Sequence, residues 1–433
     1  MSDRRPPRAV SNRPLRHPAV PALATVLTAV IALAAAPAPA AMAQDPSPAA
    51  AAVDTSGFLY GEAVTRSGNT YRGRLRWDDE ESFWGDYFNS TKKERPYAEK
   101  APDHMRERRE RVTIFGISIG TRWDDDDDRR FVAPFGALRE IEVHRGDEVT
   151  VTMKSGTRYE LEGGSNDIGA DVVVWDEKVG RIALEWDELE RVRFLPAPAD
   201  LAVDVHRLHG TVESDAGTFR GWIQWDQDEC LSSDELDGDT RDGDVSIPMG
   251  RIRRIERASR RASLVTMDDG RELRLDGSND VDDDNRGIYV EDDRFGRVLV
   301  SWDAFESVTF DRPAGSGPAQ NAFAAGGPLV GTVTDRQGRK HAGRIAFDLD
   351  ETETWELLSG TRRDVEFIIP FALVAAVVPD GDDSAKVFLE SGLELRLEGG
   401  ADVGEGNSGV AVIGDDGDVR YVEWEDVRRI DFR

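Results

Sequence analysis

GRVLVSWDAFESVTF, residues 296–310, decides the fold, because two further copies of it stand elsewhere in the chain. GRIALEWDELERVRF (180–194) and DVRYVEWEDVRRIDF (418–432) place Trp at the seventh position, one or two acids behind it, and Phe at the fifteenth. In the 296–310 copy Val298, Val300 and Trp302 alternate with residues of the other face, and Val308 and Phe310 alternate again, which is the period of half-buried strands. Asp303-Ala304-Phe305 between them is too short for anything beyond one tight turn. Each copy therefore reads as strand, single turn, strand. The third copy carries Arg420 where the others have Ile182 and Val298, which marks its first strand as an edge or as one that begins later.

Working outward, PAPADLAVD (196–204) and RPAGSGPAQNAFAAGGP (312–328) read as linkers and divide the chain into blocks at 57–195, 205–311 and 329–433. The blocks open alike, with GEAVTRSGNTYRGRLRWDDEE (61–81), GTVESDAGTFRGWIQWDQDE (210–229) and GTVTDRQGRKHAGRIAFDLDE (331–351). Each reads as strand, Gly turn, strand, acidic turn, with Gly73, Gly221 and Gly343 at one place in the second strand, where Gly marks a bulge or sharp bend. APFGALREI (133–141), IPMGRIRRI (247–255) and IPFALVAAV (369–377) follow as a second strand, turn, strand element. A hairpin comes next, then an acidic Gly-rich loop, GSNDIGAD (164–171), GSNDVDDDNRG (277–287) or GADVGEGNSG (400–409), and the block closes on the Trp stretch. Outside the leader no long 3.6-residue period is present, and ESFWGDYF (81–88) and ETWELLSG (353–360) are the places where a helical turn is expected. The expected fold is all-β: three tandem repeats of about 100 residues, each with about nine short strands in two similar halves.

Pro134/Leu138/Ile141, Pro248/Ile252/Ile255 and Pro370/Val374/Val377 share a pattern that resembles the closing segment of SH3-like barrels. GTFRGWIQWDQDE (217–229) is similar to the first Sm motif. The resemblance covers most of each block at the level of the superfamily and implies SH3/Sm-like small β-barrels, two per repeat or one fused double barrel. Ligands do not come with it. Sm-type RNA binding expects an Asn beyond Asp78, Asp226 or Asp348, where this chain has Ser82, Cys230 or Thr352, and the aromatic-rich opening motif of peptide-binding SH3 domains is absent.

Arg4, Arg5, Arg8, Arg13 and Arg16 precede an apolar run from Pro21 to Ala36 and then Ala41-Met42-Ala43, the layout of a secretory signal peptide over 1–43. The apolar run is shorter than the ~20 residues of a spanning helix, and Pro6-Pro7 after Arg4-Arg5 departs from the twin-arginine pattern. QDPSPAAAAVDTS (44–56) reads as a disordered linker. The expectation is an exported protein, periplasmic or secreted, with no transmembrane segment after cleavage. The chain has 84 acidic and 55 basic residues, a formal net charge of −29. Without the first 43 residues, which hold five Arg and one Asp, it becomes −33. Such a surface repels phosphate backbones and anionic lipids, which excludes nucleic acid as a partner class. Cys230 is the single cysteine, so no intramolecular disulfide forms.

Candidate sites are few. GISIG (116–120) satisfies the Gly-x-Ser-x-Gly pattern at Ser118 but lacks the strand-to-helix elbow that exposes such a nucleophile. His206 and His209 are spaced for opposite faces of a strand. Asp237, Asp239 and Asp242-Gly243, and Asp280, Asp282 and Asp284 ahead of Gly287, resemble the start of a Ca²⁺ loop but lack its closing Glu. Solvated turns that protect edge strands are the bland reading, shared by the run Asp124–Asp128. Trp77, Trp186, Trp225, Trp302 and Trp424 sit at fixed strand positions and read as core. Trp84, Tyr87 and Trp355, beside the loop that varies between blocks and that in the first carries the insertion at about 86–130, are the candidate ligand contacts, because long loops on a rigid scaffold are where binding sits. The function expected is a non-enzymatic cell-envelope scaffold that binds a protein or polymer partner through loops. A hydrolase with its site in the insertion and a calcium-dependent adhesion module are the alternatives; no other cofactor is implied.

Overall fold

The alternation around Trp302 does form strands. Val298 and Val300 are fully buried in the strand Gly296–Val300, a turn follows over Trp302–Ala304, and Phe305–Asp311 is the next strand. The other two copies make the same strand, turn, strand, with single 3-10 turns at Trp186–Glu188 and Trp424–Asp426. The computed structural model describes residues 54–78, 80–93, 97, 130–144, 146–163 and 167–433. The leader 1–43, most of the 44–56 segment and most of the 86–130 insertion, including Ser118 and Asp124–Asp128, lie outside the described residues.

The first block contributes β1 (Tyr60–Thr65), β2 (Thr70–Trp77), β3 (Tyr87–Lys92), β4 (Arg130–Pro134), β5 (Leu138–Val143), β6 (Glu148–Met153), β7 (Arg158–Glu162), β8 (Val172–Asp176), β9 (Gly180–Leu184) and β10 (Leu189–Phe194). They pair antiparallel in the order β4, β3, β7, β6, β5, β10, β1, β2, β8, β9. The third block repeats this order of pairings from Val330–Asp335 to Val427–Phe432. The second differs in one respect: its hairpin of Glu235–Thr240 with Gly243–Pro248 stands as a separate two-stranded sheet. The chain is thus all-β and antiparallel.

The small closed barrels expected from the SH3/Sm resemblance do not form. Within the described residues no ladder closes on itself, and in the first block the terminal strands β4 and β9 pair inward only. In place of closure, Gly296–Val300 of the second block pairs with Val365–Pro370 of the third, Val298 opposite Phe367 and Val300 opposite Val365, giving one eighteen-stranded sheet. Those two blocks share one hydrophobic core running from Leu208 to Ile430. A second core, from Leu59 to Phe194, belongs to the first block and takes in Trp355 and Phe323 from beyond it. Val419–Val422, the strand marked by Arg420, pairs only with Val410–Ile413 among the described residues and is an edge, as that arginine suggested.

Two local expectations are corrected. Residues 81–86 and 353–356 form non-helical turns that run into β3 and into Leu357–Arg362. Gly73, Gly221 and Gly343 sit in uninterrupted ladders and not at bulges. Glycine is required there by a crossing backbone: a Cβ at Gly73 would lie 1.8 Å from the Trp175 carbonyl oxygen, and one at Gly221 1.7 Å from that of Glu291.

The two Pro/Gly/Ala segments are docked and do not act as free linkers. Thr55 binds the 196–204 segment through Pro198, Ala199 and Leu201. Ser316 of the 312–328 segment accepts from Gly57 N–H at 2.9 Å and donates to the Asp54 carbonyl.

Gly221→Ala should push β-backbones apart and lower stability by about 1–3 kcal/mol or more, the scale of overpacking a close-packed interior. Urea denaturation monitored by the buried tryptophans checks it; an unchanged midpoint would contradict the close approach.

Candidate functional site

The site-forming residues come from the acidic turn after the second strand of each block. Trp77 and Glu81 exchange backbone hydrogen bonds across this turn, as do Trp225 with Glu229 and Phe347 with Glu351. Asp78, Asp226 and Asp348 take positive φ of 49°, 49° and 46° to make it, a backbone region that Asp tolerates better than branched residues. Above the turn an aromatic pair recurs edge to face: Trp77 with Trp186 at 6.1 Å, Trp225 with Trp302 at 6.3 Å, Phe347 with Trp424 at 5.9 Å. The Trp77 indole donates to the Asp167 carbonyl at 2.9 Å and that of Trp225 to Asp280 at 3.0 Å, so the expected core role of these rings is what the structure shows.

Asp167, Asp280 and Asp402 occupy one position in the three Gly-rich loops, and each is buried. Each carboxylate accepts a backbone N–H from the strand beside it: Asn89 for Asp167, Asp237 at 2.6 Å for Asp280, Ser359 at 2.6 Å for Asp402. Glu81, Glu229 and Glu351 lie next to them, and the Oε2 of each is buried without a hydrogen-bond partner. Loss of water, then the neighbouring aspartate, raises these carboxyls: Glu229 reaches about 9, while Glu81 and Glu351 rise well above the usual range. Burial lifts Asp167 to about 7 and Asp280 to about 6, opposed in each case by the N–H it accepts. Glu229 is therefore a neutral acid at pH 7, and the same burial favours the protonated form of Glu81 and Glu351.

A second recurring acid, missed in the sequence, joins the blocks. Asp86 accepts from the N–H groups of Ser82 and Phe83, both at 2.8 Å. Asp234 does the same for Cys230 and Leu231, and Glu356 for Thr352 and Glu353. Each also takes a cation from another part of the chain. Arg207 binds Asp86 at 2.6 Å, Arg76 binds Asp234 at 2.9 Å, and Lys92 binds Glu356 at 2.5 Å and Asp350 at 3.2 Å. Burial alone would lower the Lys92 ammonium; Glu356 and then Asp350 outweigh it and hold the charge. The signal in the sequence was an acid four residues past Ser82, Cys230 and Thr352.

The candidate ligand contacts are interior residues. Trp84 is fully buried and its indole donates to the Ser56 carbonyl at 3.1 Å. Tyr87 is buried beneath the Arg297 guanidinium, 4.3 Å from its ring. Trp355 is buried against Phe131 at 5.3 Å and Tyr159 at 5.9 Å of the first block. All three fasten one block to another or close a core, so a ligand does not reach these rings.

The Ca²⁺ candidates do not converge. Asp237 and Asp239 lie on a hairpin strand, where the Asp237 N–H is given to the Asp280 carboxylate and the Asp239 N–H to the Asp276 carbonyl at 2.7 Å. Asp282 caps the Asp284 N–H at 3.0 Å within its own turn, and Asp280 is held by Asp237. Among the described residues no three His, Cys, Asp or Glu side chains gather as a metal-holding group. His206 lies ahead of the strand that begins at His209; the His209 ring meets Asp311 at 2.5 Å. Cys230 is buried, its thiol 3.3 Å from the Glu80 carbonyl.

Asp86→Asn leaves the buried Arg207 guanidinium without its counter-charge and should lower stability by about 3–5 kcal/mol in urea denaturation; a loss under about 1 kcal/mol would show the pair to be dispensable. Glu229 carries the opposite signature. Its pKa of about 9 lies above the unfolded value of about 4.3, so the native state binds the extra proton and stability falls as pH rises through that window. Glu229→Gln should flatten the decline in Tm between pH 5 and pH 9, and equal slopes for variant and parent would refute the protonated state.

No helix among the described residues is long and apolar enough to cross a membrane. No protein-family model matches the chain, and no curated protein matches it. Among solved structures, one described as "Streptogramin B lyase structure" is 11% identical and covers 69% of this chain and 94% of its own, with a TM-score of 0.10. That likeness carries no argument about fold or activity.

Proposed function

We propose that the chain is a non-enzymatic, exported cell-envelope scaffold, periplasmic or secreted, that binds a protein or polymer partner through loops on its β framework. The observation that supports this most is the use of the recurring polar groups. The turn acids are met by cations of another block, the loop aspartates by backbone N–H groups, and the paired glutamates each keep Oε2 buried. What is alike in the blocks serves the framework, so recognition falls to what differs, the loop tips and turns. Among the described residues the exposed large apolar side chains are Val179 and Leu393, at the tips of two hairpins. The acidic composition supports a partner that is not itself strongly anionic.

A photo-crosslinking amino acid at Val179 or Leu393, in the full chain expressed with its leader in the producing cell, tests the reading. Discrete higher-mass adducts in the exported fraction are expected at one tip or both. A chain that stays in the cytoplasm, or gives no adduct from either tip, would sink it.

A further inference from the structure

The 3-10 turn behind Pro134 in the first block and Pro370 in the third borders a groove that the two blocks fill differently. In the first block Gly136 N–H bonds the Trp84 carbonyl at 2.8 Å and Lys154 N–H that of Ala137 at 2.9 Å. In the third, Ala372 bonds Thr354 at 2.8 Å and Glu390 bonds Leu373 at 2.9 Å. Thr354 thus stands in the place of Trp84, Ala372 of Gly136, Glu390 of Lys154, and by the Trp stretch Phe432 of Phe194.

In the first block the groove is full. The Trp84 indole packs edge to face on Phe194 at 6.1 Å. The 312–328 segment lies over the mouth, with the Phe323 ring so near Gly136 that a Cβ there would meet it at 2.2 Å. Lys154 secures the segment through the carbonyls of Gln320 and Phe323, the latter at 3.3 Å. In the third block the small Thr354 leaves a cavity of about 230 Å³ lined by Leu329, Thr354, Phe371, Val374, Glu390 and Phe432. An apolar cavity of about 150 Å³ already accepts benzene. Glu390 and Ala372 are exposed at the opening, and Arg433 also borders it.

We propose that this groove binds an aromatic side chain from an extended, basic segment of a partner protein. The ring enters the slot that Trp84 fills in the first block. It does not take the Phe323 seat, because the Ala372 methyl stands there. The change from Lys154, which meets carbonyl oxygens, to Glu390 puts a carboxylate on a rim that Arg433 also borders, and that carboxylate accepts from N–H and cationic groups on the segment. The inference rests on the binding reading above and gives it a partner chemistry.

The probes are indole and the capped tripeptides Lys-Trp-Lys and Glu-Trp-Glu, titrated into the full chain and read by ligand-observed NMR. Indole should bind, and Lys-Trp-Lys should bind about two- to fivefold tighter than Glu-Trp-Glu, the scale of one exposed ion pair. Thr354→Trp should abolish binding of all three, and Glu390→Lys should reverse the peptide preference while leaving indole unchanged. If Thr354→Trp does not unfold cooperatively, Val374→Phe, which narrows the same slot, is read in its place. Absence of indole binding to the parent chain, or undiminished binding after the slot is filled, overturns the groove. The crosslinking result at Val179 and Leu393 would still stand or fall separately.

Discussion

The buried charge pairs between blocks are the contacts on which the arrangement depends. Asp86 holds its own turn with one oxygen and receives Arg207 on the other, so the local turn and the docking of a distant segment are one interaction. Asp234 with Arg76 and Glu356 with Lys92 repeat the device. Removing two charges from water is costly, and the return comes only when geometry and further hydrogen bonds are right. The turn N–H groups supply those bonds before any cation arrives. Arg207 gains more by stacking on Phe83, its guanidinium 4.5 Å from the ring.

The relation between the first two blocks is close to reciprocal. Arg76 of the first reaches Asp234 of the second, and Arg207 of the second reaches Asp86 of the first. Between them Phe58 and Phe83 pack with Cys230 and Leu231. The second and third blocks are joined by another means, main-chain pairing of Gly296–Val300 with Val365–Pro370. Edge strands that would invite foreign pairing are here used inside the chain.

The regularity of the blocks stops at the groove beside the 3-10 turn. Equivalent positions carry Trp84, Ser232 and Thr354, and these changes alter a groove without disturbing the hydrogen bonds around it. In the second block the residue matching Lys154 and Glu390 is Asp268, tied to Arg251 at 2.9 Å. The three blocks therefore carry differently charged groups at this place: Lys154, Asp268 paired with Arg251, and Glu390. The paired glutamates belong to the framework, since each sits behind an aspartate whose oxygen is already engaged by a neighbouring strand.

The all-β fold, the strand, turn, strand elements and the core role of Trp77, Trp186, Trp225, Trp302 and Trp424 were legible in the sequence. Alternation and short turns act over a few residues, and those signals are local. Closure was not legible, because whether a ladder ends in a barrel or in another block depends on edges that are far apart in the chain. The same limit applies to Trp84, Tyr87 and Trp355: an aromatic beside a variable loop looks exposed until another block is packed on it. Asp237 and Asp239 read as loop residues in the sequence although they lie on a hairpin strand, because spacing alone does not distinguish the two. The sequence by itself determined which residues alternate, turn and repeat, since these follow from backbone sterics and side-chain period. Only the tertiary structure decided which acids meet cations, which linkers are docked and which groove stays open, because each depends on partners up to hundreds of residues away.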